Sequence, residues 1–204
     1  MPSDPTTITT IEDAHALKAL AHPVRLDLLE AVGVHGPLTA TQAAELVGES
    51  PANCSWHLRQ LAKYGFLEEV PDAKGRQRPW RRTASGMQWS DTGPDAAFEA
   101  ASRALTEVFI ERETRLIRRA MAQPQPAGWA DSAIAMQSVS WLTAEEIAQL
   151  EHQFWDILAA FRPRVADPSQ RPAGSRPVRF MALAAPDDTL SVSPETPEPG
   201  DVDD

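Results

Sequence analysis

Apolar residues recur at helical spacing through the first third of the chain. Ile11, Ala14, Leu17 and Leu20 fall three or so residues apart, so residues 11–20 are expected to form a short helix. His22-Pro23 interrupts the pattern, and Pro23 suits the first position of a second helix, where its missing N–H would have had no partner anyway. Val24, Leu28, Leu29 and Val32 form that helix's apolar stripe, and Gly33 and Gly36-Pro37 are expected to end it. In Thr39-Ala40-Thr41-Gln42 a hydroxyl and an amide three residues apart can satisfy each other's orphan backbone N–H groups. This capping box opens a third helix with Ala43, Ala44, Leu46 and Val47 facing inward. Gly48-Glu49-Ser50 is a tight turn, with Ser50 as N-cap and Pro51 at the next first position. The fourth helix is expected to run to about Tyr64, burying Cys54, Leu58 and Leu61, with Gly65 as its terminator.

The period then shortens. Residues 66–70 and 77–83 read as two strands, and Asp72-Ala73-Lys74-Gly75-Arg76 supplies the turn of a hairpin. A long helix over residues 95–121 carries Phe98, Ala101, Leu105, Val108, Phe109, Leu116 and Ile117 inward. Glu99/Arg103 and Glu111/Arg115 support its solvated face as i,i+4 pairs. After a Pro-rich linker, residues 133–141 alternate weakly and are expected to be a strand. Thr143-Ala144-Glu145-Glu146 is a second capping box, opening a helix with Ile147, Leu150, Phe154, Ile157, Leu158 and Phe161 on one face. Residues 178–185 are a further expected strand.

The expected fold is mainly α with a small β component: a winged helix-turn-helix domain, a long helix and a C-terminal β-α-β extension. The division is a flexible N-terminus at 1–10, the winged helix-turn-helix domain at 11–90, the long helix at 91–122, a linker at 123–130, the extension at 131–185 and a disordered acidic tail at 186–204.

Charge changes the picture once it is placed. The chain has 204 residues and a formal charge of −10, which by itself argues against nucleic acid. Residues 186–204 hold seven acidic residues, four prolines and no base, too little apolar material to offset the entropy of ordering. Residues 51–83 are instead net +4. The single cysteine excludes a disulfide framework, and no apolar run approaches the ~18 residues of a membrane span. The polar N-terminus has no basic segment of a secretion signal, so the chain is expected to stay in the cytoplasm with no membrane partner.

Two short helices joined by a tight turn and followed by a basic hairpin can lay the second helix in a DNA major groove, with the hairpin reaching along the backbone. The inward set on the fourth helix leaves Ser50, Pro51, Ala52, Asn53, Ser55, Trp56, His57, Arg59 and Lys63 as candidate DNA contacts. Asn53 suits a base edge, Ser55 a base or phosphate, and Trp56 a thymine methyl or sugar surface. On the wing, Lys74, Gly75, Arg76 and Arg78 suit phosphates or the minor groove, contacts that position more than they specify.

Three segments then resemble a known family. Residues 19–29, Ala-Leu-Ala-His-Pro-Val-Arg-Leu-Asp-Leu-Leu, look like the opening of ArsR-type winged-helix repressors. Residues 50–61, Ser-Pro-Ala-Asn-Cys-Ser-Trp-His-Leu-Arg-Gln-Leu, are similar to their recognition helix, and Lys63-Tyr64-Gly65-Phe66-Leu67 to the helix end and strand start after it. The resemblance covers about residues 12–83. It implies a dimeric bacterial transcription regulator, usually a repressor released from a two-fold operator by an effector, with residues 11–20 and 95–121 as the dimer surface. The metal-sensing members' cysteine pair is absent at 42–47, and the long helix has no histidine. No metal or cofactor is therefore expected, and the effector would be a small non-metal molecule.

Other readings stay open. Cys54 is either a redox switch beside the groove or a small core hydrophobe. His15, His22, His35, His57 and His152 show no paired metal spacing. His57 either buttresses the recognition helix or touches a phosphate. Trp129, Trp141, Phe154, Trp155 and Phe161 line an effector pocket in one reading and fill a core or dimer interface in the other. A winged helix used for protein–protein contact is the alternative from another class. No glycine-rich phosphate loop, nucleophile elbow or carboxylate pair supports catalysis, so no enzyme is expected.

Overall fold

Proline at two helix starts and left-handed glycine at two helix ends set the spacing of the N-terminal half. The computed structural model describes residues 7–71, 73, 78–129, 132, 134–187 and 189. In it α1 (Ala14–Leu20) leads into α2 (Pro23–His35), and α3 (Ala40–Val47) into α4 (Pro51–Lys63). Gly48 closes α3 at φ +79° and Gly65 follows α4 at φ +77°, a region that any side chain strains. The first helix starts three residues later than its apolar period suggests. Asp13 accepts the His15 N–H at 3.0 Å and fixes the start, while Ile11 enters the core from extended chain.

The capping box at Thr39 forms in both directions: Gln42 N–H donates to Thr39 Oγ1 at 3.3 Å, and Thr39 N–H to Gln42 Oε1 at 2.9 Å. Only part of the inward set of α3 holds. Ala43 and Ala44 are buried, whereas Leu46 is exposed and Val47 half-buried. Two helical turns offer one buried edge, and the small alanines let α3 lie close on α4. Leu17, Leu20, Leu28, Leu58, Leu61, Leu67 and Leu105 are fully buried and form the centre of the core.

The two strands expected of the wing pair antiparallel as β2 (Leu67–Glu69) and β3 (Trp80–Arg82), with Leu67 opposite Arg82 and Glu69 opposite Trp80. Leu38 adds a bridge to Trp80 through bonds of 3.0 and 2.8 Å, which ties the wing to the start of α3. The hairpin tip, including Lys74, Gly75 and Arg76, lies outside the described residues. A second pairing is not legible in the pattern: β1 (Ile8–Thr10) runs parallel to β4 (Gly86–Gln88). Residues 8–10 therefore belong to the fold, not to a flexible N-terminus. A Cβ on Gly86 would sit 2.6 Å from Ile8 Cδ1, so a larger residue there would have to displace the end of that side chain.

The long helix α5 (Ala96–Met121) starts where Asp95 accepts the Phe98 N–H at 2.8 Å, and it packs along α1. Phe98, Ala101 and Leu105 point into the core as expected. Further along, Val108, Phe109, Leu116 and Ile117 are only half-buried, and the buried residues are Arg112 and Glu113. Of the two surface pairs, Glu99–Arg103 forms at 3.9 Å, and Glu111–Arg115 is not an ion pair among the described residues.

The extension departs from β-α-β. Its helix, α6 (Ala144–Ala159), carries the expected capping box, with Thr143 N–H donating to Glu146 Oε2 at 2.7 Å. It is followed by the short α7 (Pro163–Ala166) and a 3-10 turn at Pro168–Gln170. Neither 134–141 nor 178–185 forms a strand, and Ala133 lies outside the described residues. An alternating pattern specifies an extended chain but supplies no partner for its backbone, and no strand edge among the described residues runs alongside. Residues 178–185 are held by side chains instead: Arg179 reaches Glu30 and Glu113, and Phe180 meets Phe154 edge-on at 6.5 Å. Residue 188 and residues 190–204, most of the expected acidic tail, lie outside the described residues.

Candidate nucleic-acid interface

One face of α4 is sealed and the other is open. Cys54, Leu58 and Leu61 are fully buried, and Ser50, Pro51, Ala52, Trp56, Arg59 and Lys63 are exposed. Asn53 and Ser55 are half-buried beside them. Ser50 Oγ accepts the Asn53 N–H at 3.2 Å and caps the end of the helix that would approach a groove. The polar candidates are already engaged locally. Asn53 Nδ2 donates to Glu49 Oε2 at 2.8 Å, and Arg59 Nη1 donates to Ser55 Oγ at 2.6 Å. Base contact by Asn53 requires release from Glu49, and the cost is small because the exchange is one hydrogen bond for another.

His57 is placed differently from the rest of the set. It is 4% exposed, and it accepts a bond from Arg25 Nε through Nδ1 at 3.3 Å. The phosphate-contact reading of His57 is thereby corrected: the ring buttresses α4 from beneath. Arg25 belongs to the site as well, although nothing in the pattern marks it beyond its place in the motif that opens α2. Its guanidinium also donates to the Ala19 carbonyl and lies 5.6 Å from the centre of the Trp56 ring. Arg25 and His57 thus fix Trp56, which is 47% exposed and meets His57 edge-on.

Burial pushes both the His57 and His22 imidazoles down from the ordinary 6.5, with Arg25 adding to the effect on each, His22 adding to it at His57, and Glu49 opposing it. The rings are 4.6 Å apart, and His22 Nδ1 has no hydrogen-bond partner among the described residues. Both histidines are neutral in the folded state near neutral pH. As pH falls below 6.5 the unfolded chain takes up protons before the folded chain does, so this contribution to stability is complete above that value and declines below it. The urea midpoint is expected to drop between about pH 7 and about pH 5, and less steeply in His57→Gln. Equal slopes in the two proteins would remove His57 from the effect.

Cys54 faces the core with no exposed surface, and burial pushes its thiol up from the ordinary value. Both features oppose a reactive thiolate, so the geometry favours the core reading over the redox one. A maleimide is expected to label Cys54 only after denaturant is added, and peroxide to leave the native thiol unmodified. Rapid labelling of the native protein would restore the redox reading.

The wing presents less free charge than the +4 of its sequence suggests. Arg78 pairs with Glu69 at 3.2 Å and Arg81 with Glu68 at 2.8 Å, while Arg82 turns inward. The first is an exposed pair, which other partners displace at little cost. The expected aromatic pocket is split as well. Trp155 and Phe161 line a cavity beside α2, while Trp129, Trp141 and Phe154 do not, Trp141 being 84% exposed. Spacing along α6 could not show which aromatics share that cavity, because α7 and the 178–185 segment close it. No cluster of three or more metal-ligating side chains occurs among the described residues. No helix among them is long and apolar enough to cross a membrane.

Residues 20–70 match a family model described as a helix-turn-helix domain. The match spans about a quarter of the chain, from the end of α1 to just past β2, and leaves the extension uncovered. No curated protein matches the chain. The chain carries a helix-turn-helix domain of the type that binds DNA in transcription regulation.

Proposed function

We propose that this chain is a homodimeric transcription regulator of the ArsR type, a repressor that binds a two-fold operator and answers to a small non-metal effector. Each protomer would place α4 in a major groove, with Asn53 and Trp56 toward base edges and Ser50, Ser55, Arg59 and Lys63 toward base or backbone. Lys74, Arg76 and Arg78 would follow the neighbouring phosphates, with Gly75 allowing close approach. The observation that carries the reading is the division of α4. Its inner face is locked by Cys54, Leu58, Leu61 and His57, while its outer face leaves Ser50, Trp56, Arg59 and Lys63 exposed, with Trp56 braced from below by Arg25. The flanking helices α1 and α5 supply the dimer surface in this reading, and work in the cytoplasm without catalysis is what it entails.

The test is recovery of bound genomic fragments by the purified full chain, followed by gel-shift assays. Enrichment of a site with half-sites about one helical turn apart (~10 base pairs) is expected. Uniform recovery at moderate salt, with no specific complex, would sink the proposal. In the Arg76→Ala, Arg78→Ala variant the slope of log affinity against log salt should flatten by about two. An unchanged slope removes the wing from the mechanism.

A further inference from the structure

A cavity of about 890 Å³ lies between α2, the wing strands and the extension. Its walls are largely apolar, contributed by Leu29, Phe109, Trp155, Leu158, Phe161 and Phe180. Its charged lining is strongly one-sided. Glu30 and Glu113 are both consumed by Arg112 and Arg179 through direct ion pairs. Arg164, Arg171 and Arg176 also line it, and none of them pairs with a carboxylate among the described residues. Arg164 lies over the Phe161 ring at 5.0 Å, and Arg171 Nε donates to the Arg164 carbonyl at 2.8 Å.

Arg82 is the decisive group. Its backbone ends β3, and its side chain crosses α2 at Gly33, where a Cβ would stand 3.1 Å from Cδ and 3.2 Å from Nη1. A side chain at Gly33 would press on this guanidinium and its stem by a few tenths of an ångström, so glycine eases their passage over the helix. The residue as a whole is only partly buried, yet its Nε is fully so and has no hydrogen-bond partner among the described residues. Burial pushes its pKa down, but a guanidinium stays charged. The rest of the half-buried guanidinium reaches the cavity wall, where no carboxylate among the described residues pairs with it, so a charge beside apolar walls is left for an anion to meet.

We propose that this cavity binds an amphipathic carboxylate, an organic acid whose apolar body packs against Trp155 and Phe161 and whose carboxylate is taken by Arg82. The volume lies within the range of small-molecule sites, and the forked guanidinium matches a carboxylate. A purely polar anion would leave the aromatic walls unused, and a neutral apolar ligand would leave Arg82 unmet. Arg82 stands opposite Leu67 in the β2–β3 ladder, two residues from the Trp80 that bridges to Leu38 ahead of α3. Occupancy therefore pulls on the strand that carries the wing. This coupling rests on the DNA-binding reading, whereas ligand binding does not.

The experiment titrates the full chain, without DNA, with phenylhexanoate and with its neutral and cationic counterparts, phenylhexanol and phenylhexylamine, by calorimetry. The acid should bind at least about tenfold more tightly than the alcohol, and the amine more weakly than either. In Arg82→Gln the acid should fall to the level of the alcohol, while the Tm of the ligand-free variant is no lower than the parent's. Equal affinity for acid and alcohol, undiminished acid binding in Arg82→Gln, or no binding of the acid at millimolar concentration overturns the site. Inorganic phosphate binding as tightly as the acid overturns its chemical class. A chain that binds the acid but never a specific DNA fragment leaves the pocket intact and overturns the regulatory coupling. A parent chain that binds a specific DNA fragment but not the acid overturns the pocket and leaves the DNA-binding reading intact.

Discussion

Arg112→Ala is expected to destabilise the chain by about 1.5–3 kcal/mol, the cost of losing its charged hydrogen bonds to Asp27, Glu30 and Glu113 while Arg179 still meets the last two. Arg112 is 5% exposed and donates to Asp27 at 2.8 Å, to Glu30 at 3.0 Å and to Glu113, which is itself 7% exposed. Burial pushes the Glu30 carboxyl up, but hydrogen bonds from Arg179 and Arg112 outweigh it and hold Glu30 below its ordinary value. Arg179 is raised well above the ordinary arginine value by the same Glu30 and by Glu113, against its burial. One cation therefore joins α2 to α5, and a second joins both to the 178–185 segment. The loss should be read as a lower urea midpoint with an unchanged m value. Arg112→Met combined with Glu113→Met should recover most of it, because the Arg179–Glu30 pair survives and no isolated buried charge remains. A single variant as stable as the parent would mean that the network contributes nothing. The double variant separates charge burial from simple loss of packing.

The second large effect concerns DNA. Arg59→Ala with Lys63→Ala should weaken binding to every sequence alike and flatten the salt slope by about two, one for each phosphate contact. Neither side chain is in an ion pair among the described residues: Arg59 rests on Ser55, and Lys63 lies 5.4 Å from the centre of the Tyr64 ring. Asn53→Ala should behave differently. It should cost about 1–3 kcal/mol at one base pair, relax preference there, and leave the salt slope unchanged. Competition shifts with single-base operator variants, repeated over a range of salt, distinguish the two patterns. A flattened slope in Asn53→Ala, or retained slope in the double variant, would reverse the roles assigned to these residues.

Much of the DNA-facing half is legible without coordinates. The two prolines at helix starts, the capping boxes at Thr39 and Thr143 and the terminating glycines depend on backbone groups three or four residues away, so the sequence states them directly. The outer face of α4 comes from Cys54, Leu58 and Leu61 for the same reason: helical periodicity is local. His57 breaks the pattern because a half-polar ring suits either face, and only Arg25 and His22 beside it decide which. The strands expected to flank α6 fail because alternation names a conformation and not a partner.

The amino-acid sequence by itself determined a helix-turn-helix with a two-faced fourth helix and a basic hairpin behind it. Only the tertiary structure decided which charges remain available and which are buried. Arg112 finds Asp27 at a separation of 85 residues, and Arg179 finds Glu30 at 149. No periodicity reports contacts at that distance, since they depend on how α2, α5 and the C-terminal segment pack. Arg82 reads in the sequence as one more wing cation, yet its side chain passes over Gly33 and lines the cavity. Local hydrogen bonding and period set the elements and their faces. The burial of charge, and with it the proposed ligand site, is set by long-range packing, because a guanidinium's free energy depends on what surrounds it rather than on its neighbours in the chain.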